Sequence, residues 1–329
     1  MVGLNMDLNN IPDDLIEIRR VFVSENITEK MQLSSNYIRT RYDKLDKLEE
    51  AMRFCSFDLL DAARSDGTNL FKLAFFPWSE AAEDFDIALN LIISSYYKNS
   101  YDSLRRALEL VVVASFYTLD NADSKKAREW VTSKKSTPNF RRIIEKIVKI
   151  YPYNLCEDKC NLSEFLFELY YYLSDYIHVK GINASHRKFV SSMHNFCGIS
   201  IYGFSEESCS QSLNIYLETV GAVALLCALC NPILLIGFDL ERKFGLNPPA
   251  SGLFELHQSE RLWFLFPDRF KEFMEQLRKT DPSIQSVQEY IEQLPDMTDE
   301  EFKNQCDDFV SMFSVNSTQN NDGESSKNR

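Results

Sequence analysis

Glycine and proline are scarce in this chain, with 10 of each in 329 residues. So few breakers between long amphipathic runs exclude an architecture of many short strands and turns, and argue for helices. The short motifs of the commonest enzyme classes are missing too. There is no Gly-rich phosphate loop, no H-E-x-x-H, no G-x-S-x-G and no paired zinc knuckles. Their absence removes those classes and leaves other chemistry open. Positive charge is also short: 36 Lys and Arg stand against 49 Asp and Glu, a net charge of −13. Such a chain is poorly suited to non-specific nucleic-acid binding over its whole surface, though a local basic patch remains open. No secretory leader is expected, since the first residues, MVGLNMDLNNIPDD, are polar and acidic. A cytoplasmic protein with reduced thiols is the expectation.

The eight cysteines fall at Cys55, Cys156, Cys160, Cys197, Cys209, Cys227, Cys230 and Cys306. Cys227 and Cys230 form a C-x-x-C inside an apolar helix with no His or second Cys pair nearby. Buried structural thiols fit that setting better than zinc or redox chemistry. Cys156 and Cys160 form a C-x-x-x-C placed in a loop, again without completing ligands. No metal and no cofactor are expected. Val220–Phe238 is long enough to span a membrane. Asn231-Pro232 interrupts it, no basic cluster flanks it, and Glu218 and Asp239 sit at its ends. The expectation is a central helix buried by protein, with no membrane contact.

The chain divides into an N-terminal helical region (1–68), a helical core (69–245), an acidic C-terminal helical region (253–313) and a disordered tail (314–329). The first dozen residues look loose, and one long helix is expected over about Ile27–Arg64, closed by Ser65-Asp66-Gly67. Phe75–Trp78 reads as an apolar loop, with Ser79 capping a helix to about Lys98. Asn99-Ser100 breaks it before a helix over Tyr101–Tyr117. Ala122–Val131 follows, then a helix capped at Thr137-Pro138 with Phe140, Ile143, Ile144, Ile147 and Val148 on one face. Glu164–Gly181 is the next helix. Ile182–Phe204 is mixed, and Ser205 starts the helix that runs into the apolar segment. Leu246–Gly252 is a linker. Beyond it Glu260–Thr280, Ser283–Leu294 and Thr298–Phe313 read as helices, the last with a Thr298/Glu301 capping box. Residues 255–308 hold 14 acidic and 6 basic side chains. The fold class is therefore all-α, with an antiparallel helical bundle as its core and helical extensions at both ends.

Two mostly apolar helices carry polar residues at helical spacing. On Tyr101–Tyr117, Arg105 and Glu109 are spaced i, i+4 beside Leu104, Leu108, Val111 and Val112, with Arg106 as a second cation. On Glu164–Gly181, Glu164, Glu168, Tyr171, Asp175 and His178 line one stripe. Phe165, Leu169, Tyr172, Leu173 and Tyr176 line the next, and Ser174 lies four residues before His178. Buried polar groups need partners, and across a helix pair the partners are each other: Arg105, Arg106, Glu109, Ser174, Asp175 and His178 form the expected polar network. One reading makes it a site, with His178 as general acid or base and Arg105 or Arg106 stabilising an oxyanion or phosphate. The other makes it structural, with His178 at a helix C-terminus favoured by the macrodipole.

The ordered set SLRRALE, AREWVTSKKSTPNFRRIIEKI and YYLSDYIHVKG resembles a family of bacterial helical proteins related to the HEPN superfamily. The resemblance covers about Trp78–Phe238. It implies a helical bundle, often dimeric, in phage-defence or toxin settings. Catalytic members carry an Arg, then four to six residues, then a His on one helix. Here the His matches at His178, while Tyr171, Tyr172 and Leu173 precede it with no Arg. The expectation is a non-catalytic recognition or oligomerisation protein, a homodimer or a binder of another protein. A metal-independent ribonuclease using His178 is the alternative, and a membrane-associated protein a weaker one.

The chain's single basic stretch bears on that alternative. Lys125, Lys126, Arg128, Lys134, Lys135, Arg141, Arg142, Lys146 and Lys149 face only Glu129 and Glu145. Such a cluster suits RNA phosphates. It equally suits a solvated face paired with the acidic C-terminal region.

Overall fold

Helices make up nearly all of the computed structural model, which describes residues 13–62, 75–119, 124–178, 203–248 and 252–319. The all-α expectation holds, with a single pair of two-residue strands as the only sheet among the described residues. α1 spans Asp13–Arg41 and α2 Leu45–Arg53, so the long helix expected from Ile27 to Arg64 starts earlier and is broken at Tyr42–Lys44. The break turns Tyr42 inward, where its hydroxyl donates to Asn214 Oδ1 at 3.2 Å. A π-helical turn, Phe54–Asp58, then leads into the short α3, Leu59–Asp61.

α4 spans Phe75–Ile93 and α5 Tyr97–Leu119. The expected loop at Phe75–Trp78 is the first turn of α4, where the N–H that Pro77 lacks has no helical partner to miss. Ser79 lies inside that helix and donates to Phe76 O at 2.9 Å instead of capping it. The break before α5 falls at Ser94–Tyr96 rather than Asn99-Ser100, with Ser95 in the left-handed region at φ 64°. α6 is Ser124–Val131 and α7 Phe140–Ile147. The cap of α7 is Asn139, which accepts from Arg142 N at 3.2 Å; Thr137 accepts from Trp130 Nε1 instead.

α8, Tyr153–Cys160, replaces the expected loop around Cys156 and Cys160. Asn161, left-handed at φ 51°, joins it to α9, Leu162–Ile177. α10 is Glu206–Cys230, capped as expected by Ser205. Asn231-Pro232 ends it, so Val220–Phe238 is half helix, then a 3-10 turn (Pro232–Leu235) and β1 (Gly237–Phe238). After α11 (Leu240–Phe244), β2 (Phe254–Glu255) pairs in parallel with β1, Gly237 opposite Phe254. Phe266-Pro267 splits the expected single helix into α12, Leu256–Leu265, and α13, Asp268–Thr280. α14, Pro282–Gln293, and α15, Asp299–Gln319, follow. The Thr298/Glu301 capping box is formed in both directions. α15 runs through residues 314–319, which were expected to belong to the disordered tail. The expectations on residues 1–12, Ser65-Asp66-Gly67, residues 182–202 and residues 320–329 lie outside the described residues.

One continuous apolar core reaches from Tyr37 to Ile284. α10 is its axis, buried at every position from Thr219 to Cys230. α5 packs on α4, α7, α9 and α10. The expected apolar stripes meet: Leu104, Leu108, Val111 and Val112 on α5 and Phe165, Leu169, Leu173 and Tyr176 on α9 are buried, and Tyr172 is half-buried. The pair is antiparallel. Tyr101 touches Tyr176, with ring centroids 4.7 Å apart, while Arg105 and Glu109 reach back to Tyr170.

Candidate functional site

The solvent-facing stripe of α9 runs as the helical period requires, through Glu164, Glu168, Tyr171 and His178. What it meets differs from the expected network. Arg105 Nη2 donates to Glu109 Oε1 at 3.1 Å and to the Tyr170 hydroxyl at 3.0 Å, and that hydroxyl donates to Glu109 Oε1 at 2.8 Å. The three groups close on one another at the edge of the core. Burial acts against the Arg105 charge, and Glu109 with the Tyr170 hydrogen bond outweighs it, holding the guanidinium above its usual range. Burial, then Glu109, pushes the Tyr170 hydroxyl up.

The remaining expected members lie elsewhere. His178 caps the C-terminal end of α9 with an exposed ring, and only its backbone N–H is bonded, to Ser174 O at 3.1 Å, among the described residues. It stands two helical turns beyond Tyr170, about 12 Å along the axis. Ser174 donates to Tyr170 O within its own helix. Arg106 is taken by α4: it reaches Asp84 through Nε and Nη2, the shorter contact being 2.5 Å, and Asp102 at 2.8 Å. Asp175 is half-buried on the same turn as Ser174. The structure thus joins Arg105 to Glu109, and brings neither to His178. Tyr170 is the member the sequence reading missed, because it lies on neither the polar stripe through Tyr171 nor the apolar stripe through Tyr172.

The basic stretch folds into α6, a turn and α7. Phe140, Ile143, Ile144 and Ile147 face the core, so Arg141, Arg142 and Lys146 must face out. Lys125, Lys126, Arg128, Lys134, Lys135 and Lys149 are exposed as well. Two local pairs temper the charge, Lys135 with Glu129 and Arg141 with Glu145. α7 leans on α9 through rings. Phe140 stacks on Tyr170 at 4.1 Å, and the Arg141 guanidinium lies 5.9 Å from the Phe167 ring, which is itself 6.1 Å from Tyr171. Tyr171 is 47% exposed. Arg141 and the Phe167 and Tyr171 rings therefore form one surface where α7 meets the outer side of α9, which also carries the exposed Glu164 and Glu168.

A second polar cluster was invisible in the sequence. Arg261 of α12 donates through Nε to Glu50 at 2.7 Å and through Nη1 to Asp58 at 2.5 Å. Gln258 donates to both Asp58 and Asp61. Asp58 is 1% exposed, and burial raises its pKa against the pull of Arg261. The cluster ties the π-helical turn to α12. Between α9 and α10 lies a groove of about 600 Å³ lined by Glu168, Glu207, Glu218, Gln211, Asn214 and Tyr172. Burial, then Glu168, raises the Glu218 carboxyl there. Among the described residues no three His, Cys, Asp or Glu side chains converge as a metal site would require. Cys227 and Cys230 are buried in the last turns of α10, and Cys156 and Cys160 stand one turn apart on α8.

Comparison with protein-family models, with curated proteins and with solved structures finds no match to this chain.

Proposed function

We propose that this chain is a non-catalytic recognition and oligomerisation protein with a HEPN-like helical core, working in the cytoplasm in a defence or stress setting. Its contact surface is the outer face of α6, α7 and α9, and the partner that face suits is a polyanion such as single-stranded RNA. One observation carries the reading: nine exposed cations against two carboxylates on α6, α7 and the turns that follow them, on a chain of net charge −13, with the Phe167 and Tyr171 rings of α9 beside Arg141 and with Glu164 and Glu168 also exposed on α9. Cations neutralise phosphates and exposed rings stack bases, and neither needs a base sequence. Arg105 is engaged by Glu109 and Tyr170, and Arg106 by Asp84 and Asp102, which speaks against either standing in for the missing catalytic Arg.

The test is the anisotropy of a labelled single-stranded oligoribonucleotide. Arg141→Glu with Arg142→Glu should weaken binding at least ten-fold. Unchanged affinity, or no binding by the native chain, sinks the polyanion surface. The same samples report cleavage. RNA cut by the native chain and spared by His178→Ala would replace this reading with the ribonuclease.

A further inference from the structure

One stripe of α10 reads Glu207, Gln211, Asn214 and Glu218, at i, i+4, i+7 and i+11, so the four share a side of the helix. The two carboxylates at its ends stand three turns apart, about 16 Å. α9 runs alongside, with Gln211 donating to the Tyr172 hydroxyl at 2.8 Å, and Glu168 adds a third carboxylate to the groove of about 600 Å³ between the helices. All three carboxylates are exposed, and none forms an ion pair among the described residues. Burial, then Glu168, raises the Glu218 carboxyl, a cost that an incoming cation relieves. The chain's own cations nearby are engaged on other groups: Arg41 on Glu206, Lys44 on Asn214 Oδ1 at 2.8 Å, and Arg269 on the Cys160 and Asn161 carbonyls. On the opposite side of α9, Arg142 and Lys146 stand one turn apart on α7, and Lys149 follows in the turn that closes it. All three are exposed, and Arg142 and Lys149 form no ion pair among the described residues. Glu145, the one carboxylate of α7, is held by Arg141. Within one chain α9 stands between these cations and the groove, since α7 stacks on it at Tyr170 and the groove opens beside Tyr172.

We infer that the α9–α10 groove of one copy receives the α7 face of a second copy, with Arg142, Lys146 and Lys149 set against Glu168, Glu207 and Glu218. The charge signs choose the occupant. Two grooves repel each other, as do two α7 faces, so the contact joins unlike surfaces. The exposed Glu164 on the rim of α9 carries the same sign as the groove and adds to its pull on the incoming cations. Contacts between unlike surfaces add copies until a ring closes. The inference rests on the reading of α6 and α7 as the contact surface, and it makes RNA and the second copy competitors for the α7 cations.

Sedimentation velocity on the full chain over a range of concentrations tests it. Self-association should fall when salt rises from about 50 mM to about 500 mM, where screening shortens to a few ångströms. Arg142→Glu with Lys149→Glu should leave a monomer, and so should Glu168→Lys with Glu207→Lys; all four positions are exposed, and circular dichroism checks that the helices persist. Mixing the two charge-reversed proteins sets an acidic α7 face against a basic groove and the native pair of signs against each other, so assembly should return although each protein alone stays monomeric. A native chain that is monomeric throughout leaves the groove to some other basic partner and overturns the inference. So does an oligomer indifferent to either reversal, or a mixture that stays monomeric. The two proposals fail separately. Glu168→Lys with Glu207→Lys should abolish assembly and leave RNA affinity no weaker than native, whereas a native chain that assembles in this way without binding RNA would sink the RNA surface alone.

Discussion

The Tyr170 hydroxyl accepts from Arg105 and donates to Glu109, so it orients both charges at the rim of the core. Its ring is held independently by the stack on Phe140. Tyr170→Phe therefore removes two hydrogen bonds and little packing. Each such bond contributes about 1 kcal/mol, somewhat more where a charged group is involved. The urea midpoint should shift down by a matching amount, and no shift would mean that water replaces the hydroxyl at no cost. His178→Ala is the contrast. The ring is exposed and outside the Arg105 cluster, so the same melt should be unchanged. A clear loss of stability on removing His178 would restore it to a structural role. The stripe positions on α9 were legible because helical period alone fixes them. The partner was not, since Tyr170 falls on neither of the stripes read along α9 and is polar only at one atom.

At the scale of elements, the π-helical turn Phe54–Asp58 decides how the N-terminal helices meet the C-terminal ones. It buries Asp58 against Arg261, whose side chain is 9% exposed. Arg261→Met leaves that carboxylate buried and unpaired, and losing one partner of a buried pair costs about 3–5 kcal/mol. The folded pKa of Asp58 is raised by burial, so its favourable contribution is full below the ordinary carboxylate value and is lost as pH rises through the raised one. The deficit of Arg261→Met should accordingly shrink as pH falls from about 7, because protonation of Asp58 relieves the buried charge that has lost its partner. A deficit independent of pH would place the loss in packing instead. Helix identities were legible from apolar spacing and caps, as with Ser205 and the Thr298/Glu301 box. Several breaks were not. Tyr42–Lys44 and Ser94–Tyr96 contain no glycine or proline, and at the first of them the Tyr42 hydroxyl bonds Asn214, 172 residues away.

For the whole molecule, the question the sequence leaves sharpest is whether the apolar segment belongs to protein or to lipid. α10 is long and apolar enough to cross a membrane, and 83% of its most apolar window is buried within the chain. Length and hydropathy cannot separate the two cases, because a helix hydrophobic on all sides serves either. Its neighbours can. α5, α4, α2 and α12 all pack on it. At Gly221 the approach is so close that an added Cβ would stand 2.9 Å from Leu265 O, so α12 covers that side with backbone. Ser212 and Thr219 are buried on the same helix; the Ser212 hydroxyl lies 3.4 Å from that of Tyr101, and Thr219 donates to Ile215 O. Exposing α10 to acyl chains would strip α4, α5 and α12 of the surface that holds them, at about 25 cal/mol for every Å² uncovered. The expected outcome is that the protein stays in the supernatant after high-speed centrifugation of a detergent-free lysate. Recovery in the pellet, released by detergent and not by high salt, would show that α10 leaves this core for the bilayer. Release by salt alone would instead point to the basic face of α6 and α7 held on an anionic surface.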